Sequence, residues 1–78
     1  MKINEFLGLL EETLEMSDGS LYLETNLKDL EEYDSLAVLS IIAMIDEKFG
    51  KSLSAQDFNE ISDVKSLVKS IGEENFEF

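Results

Sequence analysis

Four segments of the chain repeat apolar residues at helical spacing, and the intervals between them are polar. Within residues 3–15, Ile3, Phe6, Leu7, Leu10 and Leu14 fall on a stripe about 100° wide at the pitch of an α-helix. Asn4, Glu5, Glu11, Glu12 and Glu15 lie on the other side. The pattern predicts a surface helix with one buried face, and Asp18-Gly19 signals a turn after it. Residues 35–49 predict a second helix. Its core face is Val38, Ile42, Ile45 and Phe49, with Leu39 and Ile41 at the margins. A second seam carries Leu36, Ser40, Ala43 and Glu47, flanked by Ala37 and Met44. Asp34 or Ser35 can cap its N-terminus, and Gly50 suits its C-terminal end. Ser54-Ala55-Gln56-Asp57 resembles a capping box and opens a short third helix to about Ile61, with Leu53, Phe58 and Ile61 inward. Ser62 can cap a fourth helix, in which Val64, Leu67, Val68 and Ile71 recur at i, i+3, i+4 and i+7 before Gly72. The expected fold is all-α: a four-helix bundle in one domain over residues 1–78, with a frayed tail over 73–78.

The one interval that breaks this regularity is the long connection over residues 17–34. Leu21, Leu23, Leu27 and Leu30 are spaced to pin it to the core, and Thr25-Asn26 can open a short turn over Leu27–Leu30. Connections of this length are uncommon in compact domains and are often functional.

Charge narrows the partners. Eighteen acids against six lysines give a net charge of −12. Such a surface repels phosphate backbones, so no nucleic acid is expected, and it attracts basic patches on other proteins. No apolar run reaches membrane-span length and the N-terminus lacks a signal-peptide pattern, so a cytoplasmic monomer is expected.

The chain has no His, Cys, Arg or Trp. General acid–base work falls to a perturbed carboxylate or lysine, and nucleophilic attack to an unassisted hydroxyl. No zinc cluster and no EF-hand spacing is present, and no metal site or catalytic residue is expected. If the protein takes part in covalent chemistry, the reactive group is added to it. Ser35, with Asp34 before it, stands where the long connection meets the second helix. A hydroxyl there is a helix cap or a modification site, and the two apolar faces behind it favour the second reading.

Asp34-Ser35-Leu36, Ile42-Ala43-Met44-Ile45-Asp46-Glu47-Lys48-Phe49 and Ile61-Ser62-Asp63-Val64, in this register, resemble an acyl carrier protein of the fatty-acid and polyketide type. The resemblance is weak over the first helix and strong from Asp29 onward. It implies that a phosphopantetheinyl transferase attaches 4′-phosphopantetheine from coenzyme A to Ser35, with Asp34 and Leu36 beside it. It implies a non-catalytic carrier of acyl thioesters, served by loading and transfer enzymes with basic patches. Leu36, Ala37, Ser40, Ala43, Met44, Asp46 and Glu47 match its docking face. Leu39, Ile45, Leu53, Phe58, Ile61 and Leu67 match its acyl-pocket lining.

The chain departs from the family pattern in three places. Asp29-Leu30-Glu31-Glu32-Tyr33-Asp34-Ser35-Leu36 has one more residue than the usual approach to the serine and lacks its glycine. Ala37 and Ser40 are uncharged where housekeeping members place acids, which points to a dedicated carrier in a specialised acyl, polyketide or surface-glycan pathway. Phe58, bulky at a lining position, suggests short cargo. An aminoacyl (peptidyl or D-alanyl) carrier and an unmodified acidic adaptor for basic proteins are the alternatives.

Overall fold

In a computed structural model describing residues 1–78, the chain is all-helical, with three α-helices and no strands. They are α1 (Ile3–Thr13), α2 (Ser35–Phe49) and α3 (Val64–Ile71). Three 3-10 segments, Leu27–Asp29, Ala55–Asn59 and Glu73–Asn75, punctuate the connections. The expected third helix is therefore one 3-10 segment of five residues. Its capping box forms as expected: the Ser54 hydroxyl accepts from the Asp57 N–H, and Asp57 Oδ2 accepts from the Ser54 N–H at 2.8 Å. With so few residues before Ile61 turns inward, no regular α-helical ladder develops.

The core is one cluster of sixteen apolar side chains drawn from all three α-helices, the connections between them and Phe76 of the tail. Phe6, Leu10 and Leu14 come from α1 and its end, and Val64, Leu67, Val68 and Ile71 from α3, as their spacing predicts. α2 is rotated relative to expectation. Its buried line is Ala37, Ile41, Met44 and Ile45, while Val38, Ile42 and Phe49 are half-buried at its edges and Leu39 is exposed. A helix apolar on most sides gives no sharp stripe, so its neighbours decide which residues go deepest.

Glu11 is a second correction. Its spacing puts it on the polar side of α1, yet it is only 4% exposed. Its Oε2 accepts from the Leu21 N–H at 2.8 Å, so the carboxylate ties the returning connection to the helix. α1 stops through Glu15, which takes up left-handed backbone at φ 60° and allows the Met16 N–H to reach back to the Glu11 carbonyl. Gly50 takes the same region at φ 64° at the end of α2, where a residue without Cβ carries no steric penalty.

The connection is stitched down rather than loose. Leu21 and Leu27 are buried, and Leu23 and Leu30 pack against the core. The Leu27 N–H donates to the Ser62 carbonyl at 2.7 Å, Val64 to Thr25 at 3.1 Å and Lys65 to Leu23 at 3.0 Å. Residues 23–27 thus run as a strap against the residues that open α3. Asn26 caps the Leu27–Asp29 turn by accepting from the Lys28 N–H. The cap of α3 is Asp63 and not Ser62: Asp63 Oδ1 accepts from the Ser66 N–H at 2.8 Å.

Residues 73–78 are docked and not frayed. The Glu77 N–H donates to the Met1 carbonyl, and the Glu77 carbonyl accepts from the Ile3 N–H. Phe76 is buried, with ring centroids 5.0 Å from Phe6 and 5.2 Å from Phe49. Phe78 remains exposed.

Candidate functional site

The approach to Ser35 is a series of tight turns. The Leu30 N–H donates to the Leu27 carbonyl, and the Tyr33 N–H to the Leu30 carbonyl. Asp34 follows in extended backbone and caps α2, its Oδ1 accepting from the Ala37 N–H at 2.8 Å. The choice between Asp34 and Ser35 as cap is thereby decided, and the serine is left free of that duty. Ser35 is the first helical residue and is exposed. Its N–H and that of Leu36 lie in the first turn, where no intrahelical partner exists. The positive end of the α2 dipole at this point favours an anion, while Glu31, Glu32 and Asp34 around it do not.

Beside Ser35 lies an open groove of about 380 Å³. Val38 and Leu39 of α2 form one wall, and Ala55, Phe58 and Asn59 of the 3-10 segment form the other. Tyr33 and Lys28 close it from the connection. The Lys28 ammonium donates to the Asn59 carbonyl at 3.0 Å, bridging the two sides. The Tyr33 hydroxyl is buried and has no hydrogen-bond partner. Burial pushes its phenol above the ordinary value. Tyr33 and Lys28 were not singled out by the sequence. The one available signal was an aromatic residue, two positions before the serine, in a polar stretch.

Of the six expected pocket residues, Leu39 and Phe58 line this groove. Ile45, Ile61 and Leu67 are fully packed in the core and line no cavity, and Leu53 is half-buried against the core outside the groove. The expected docking residues also divide. Leu36 is 74% exposed, and Ser40, Ala43, Asp46 and Glu47 are exposed with it. Ala37 and Met44 turn largely into the core, because α2 packs with that face inward, and reach the surface only at the floor of shallow hollows beside Leu36, Ser40 and Ala43. Leu39, 58% exposed, adds an apolar contact to the outer face.

The fold and this geometry define a small helical domain that displays a hydroxyl at the mouth of its central helix. Residues 4–71 match the family model for the phosphopantetheine attachment site, and the chain belongs to that family. No curated protein and no solved structure matches it. The family binds covalently attached 4′-phosphopantetheine, and its domains are generally non-catalytic carriers that work with partner enzymes. The residues present fit such a group. They offer an exposed serine hydroxyl and first-turn N–H groups that would face a phosphate, with an open groove beside them. No helix is long and apolar enough to cross a membrane.

Proposed function

We propose that the protein is a cytoplasmic carrier that holds acyl intermediates as thioesters on a 4′-phosphopantetheine arm attached to Ser35. When bound, the arm supplies the thiol that the sequence lacks. The observation that carries this reading is the exposure of Ser35 at the N-terminus of α2, with Asp34 already taking the capping role. The hydroxyl is thus open to a transferase without unfolding the helix. Its phosphodiester would lie at the favourable end of the α2 dipole.

The exposed face of Leu36, Leu39, Ser40 and Ala43, with Asp46 and Glu47 further along, is the proposed docking surface. Apolar contact near the arm gives affinity, and the two acids steer toward basic enzymes. A carrier must leave after each transfer, so a small, salt-sensitive interface suits it. With uncharged Ser40 on this face, we place the carrier in a specialised acyl, polyketide or surface-glycan pathway.

The test is incubation with coenzyme A and a broad phosphopantetheinyl transferase, followed by intact mass. The wild type is expected to gain one phosphopantetheinyl increment and Ser35→Ala none. An unchanged wild-type mass, or an increment that survives in Ser35→Ala, overturns the assignment.

A further inference from the structure

The buried acid of α1 has more hydrogen-bonding capacity than the fold uses. Glu11 is 4% exposed and is the only charged residue in the interior. Its Oε2 accepts from the Leu21 N–H at 2.8 Å. Its Oε1 accepts from no group of the protein, and it keeps a path to solvent, since the Tyr33 hydroxyl is the one sealed side-chain polar atom without a partner. A carboxylate withdrawn from water to this degree is ordinarily met by a cation or by several donors. Here no lysine lines its surroundings, and the fold supplies a single N–H.

Glu11 lines a hollow of about 290 Å³ between α1 and the connection that follows it. Buried Leu21 and half-buried Leu7 give it an apolar lining, and exposed Asn4 and Gly19 stand at its edge. Tyr22 completes it, and that side chain is 63% exposed. A large aromatic ring is thus left in water beside a buried acid, and the faces of such rings attract cations. The volume is at the small end of ligand sites and suits the head of one side chain. The hollow shares no lining residue with the groove beside Ser35 or with the hollows along the outer face of α2.

We propose that this hollow receives an arginine side chain of a partner protein, as an anchoring point separate from the docking face on α2. The proposal does not depend on what Ser35 carries. A guanidinium suits the site better than an ammonium for two reasons. It is flat, so its N–H edge donates to Glu11 Oε1 while its face lies on the Tyr22 ring. It is also less strongly hydrated, so it loses less on entering a half-enclosed site. The net charge of −12 draws basic partners toward the chain, and Glu11 gives the encounter a fixed point. The arginine uses the free oxygen, so the Leu21 bond stays in place and neither α1 nor the connection has to move.

The test titrates N-acetyl-arginine amide into the isotope-labelled full chain and follows the backbone amides by NMR. N-acetyl-citrulline amide, which has the same shape without the charge, is the control. Arginine is expected to give saturable shifts concentrated on Gly19, Leu21 and Tyr22, and citrulline none there. Glu11→Gln keeps an acceptor for the Leu21 N–H and removes the charge, and it is expected to weaken the arginine response about tenfold. Tyr22→Leu, at an exposed position that the fold does not need, is expected to weaken it about threefold. Shifts that spread evenly over the acidic surface without saturating overturn the inference. So does a citrulline response equal to that of arginine, or an arginine response unchanged in Glu11→Gln. Should Glu11→Gln fail to fold, Tyr22→Leu decides alone: a weaker response at Gly19 and Leu21 supports the site, and an unchanged one overturns it. The titration uses no coenzyme A, so its failure leaves the carrier reading standing.

Discussion

Replacing Phe76 by alanine tests whether the C-terminal segment is part of the fold. The ring is 8% exposed and sits edge-on to Phe6 while tilting against Phe49. Phe6 is itself fully buried, so the substitution opens space in the centre of the aromatic cluster. Truncating a buried phenylalanine costs about 3–5 kcal/mol, and the tail's freedom to relax near a chain end favours the lower value. A core of this size supplies only about 3–5 kcal/mol of net stability. Phe76→Ala is therefore expected to bring the domain close to its unfolding midpoint at room temperature in the absence of denaturant. Urea titration followed by circular dichroism measures this directly. Phe78→Ala is the control: that ring is exposed, and its loss is expected to change stability by no more than about 0.5 kcal/mol. If Phe76→Ala unfolds at the wild-type urea concentration, the aromatic cluster does not hold the tail and the frayed-tail expectation was correct.

Three further outcomes concern charge and titration. The Ser66 N–H, donating to Asp63 Oδ1, holds the Asp63 carboxyl below its usual range. That contribution is complete above the unfolded carboxyl value and is lost as pH falls through the lower folded value, so Asp63→Asn should flatten the acid limb of a stability–pH curve. Parallel limbs for the two proteins would contradict it. Burial raises the Tyr33 phenol above its ordinary 10.0, so the unfolded chain ionises first and stability falls as pH rises past that value. Tyr33→Phe should remove that share of the alkaline loss and, lacking the unpaired hydroxyl, be at least as stable as wild type at neutral pH, which paired urea melts will decide. With a net charge of −12, moderate salt should raise the melting temperature by screening self-repulsion, and a decrease would show that specific surface attractions dominate.

What the sequence reveals about this fold is what local chemistry dictates. The bounds of α2 are readable because Asp34 can only begin a helix well and Gly50 can end one. α3 is readable because Val64, Leu67, Val68 and Ile71 leave one possible buried face. The misses depend on partners distant in sequence. Nothing near Glu11 announces that the Leu21 N–H will arrive to meet it, and nothing near Phe76 announces Phe6 and Phe49. The burial of Ala37 and Met44 is not legible because α2 carries apolar residues on most sides, so only the packing of its neighbours selects the inner one. The position of Ser35 was legible from its neighbours in the chain. The groove was only partly so, since Tyr33, Lys28 and Asn59 come together through turns whose directions no periodicity encodes.

The strap over residues 23–27 joins segments far apart in the chain, since its backbone partners are Ser62, Val64 and Lys65. A pairing between such distant segments is late to form, because the loop between them must close before its contacts are rewarded. The connection that leads into Ser35 therefore settles only once the residues that open α3 have come back against it, and a chain cut before Ser62 would present the same hydroxyl on an unset approach.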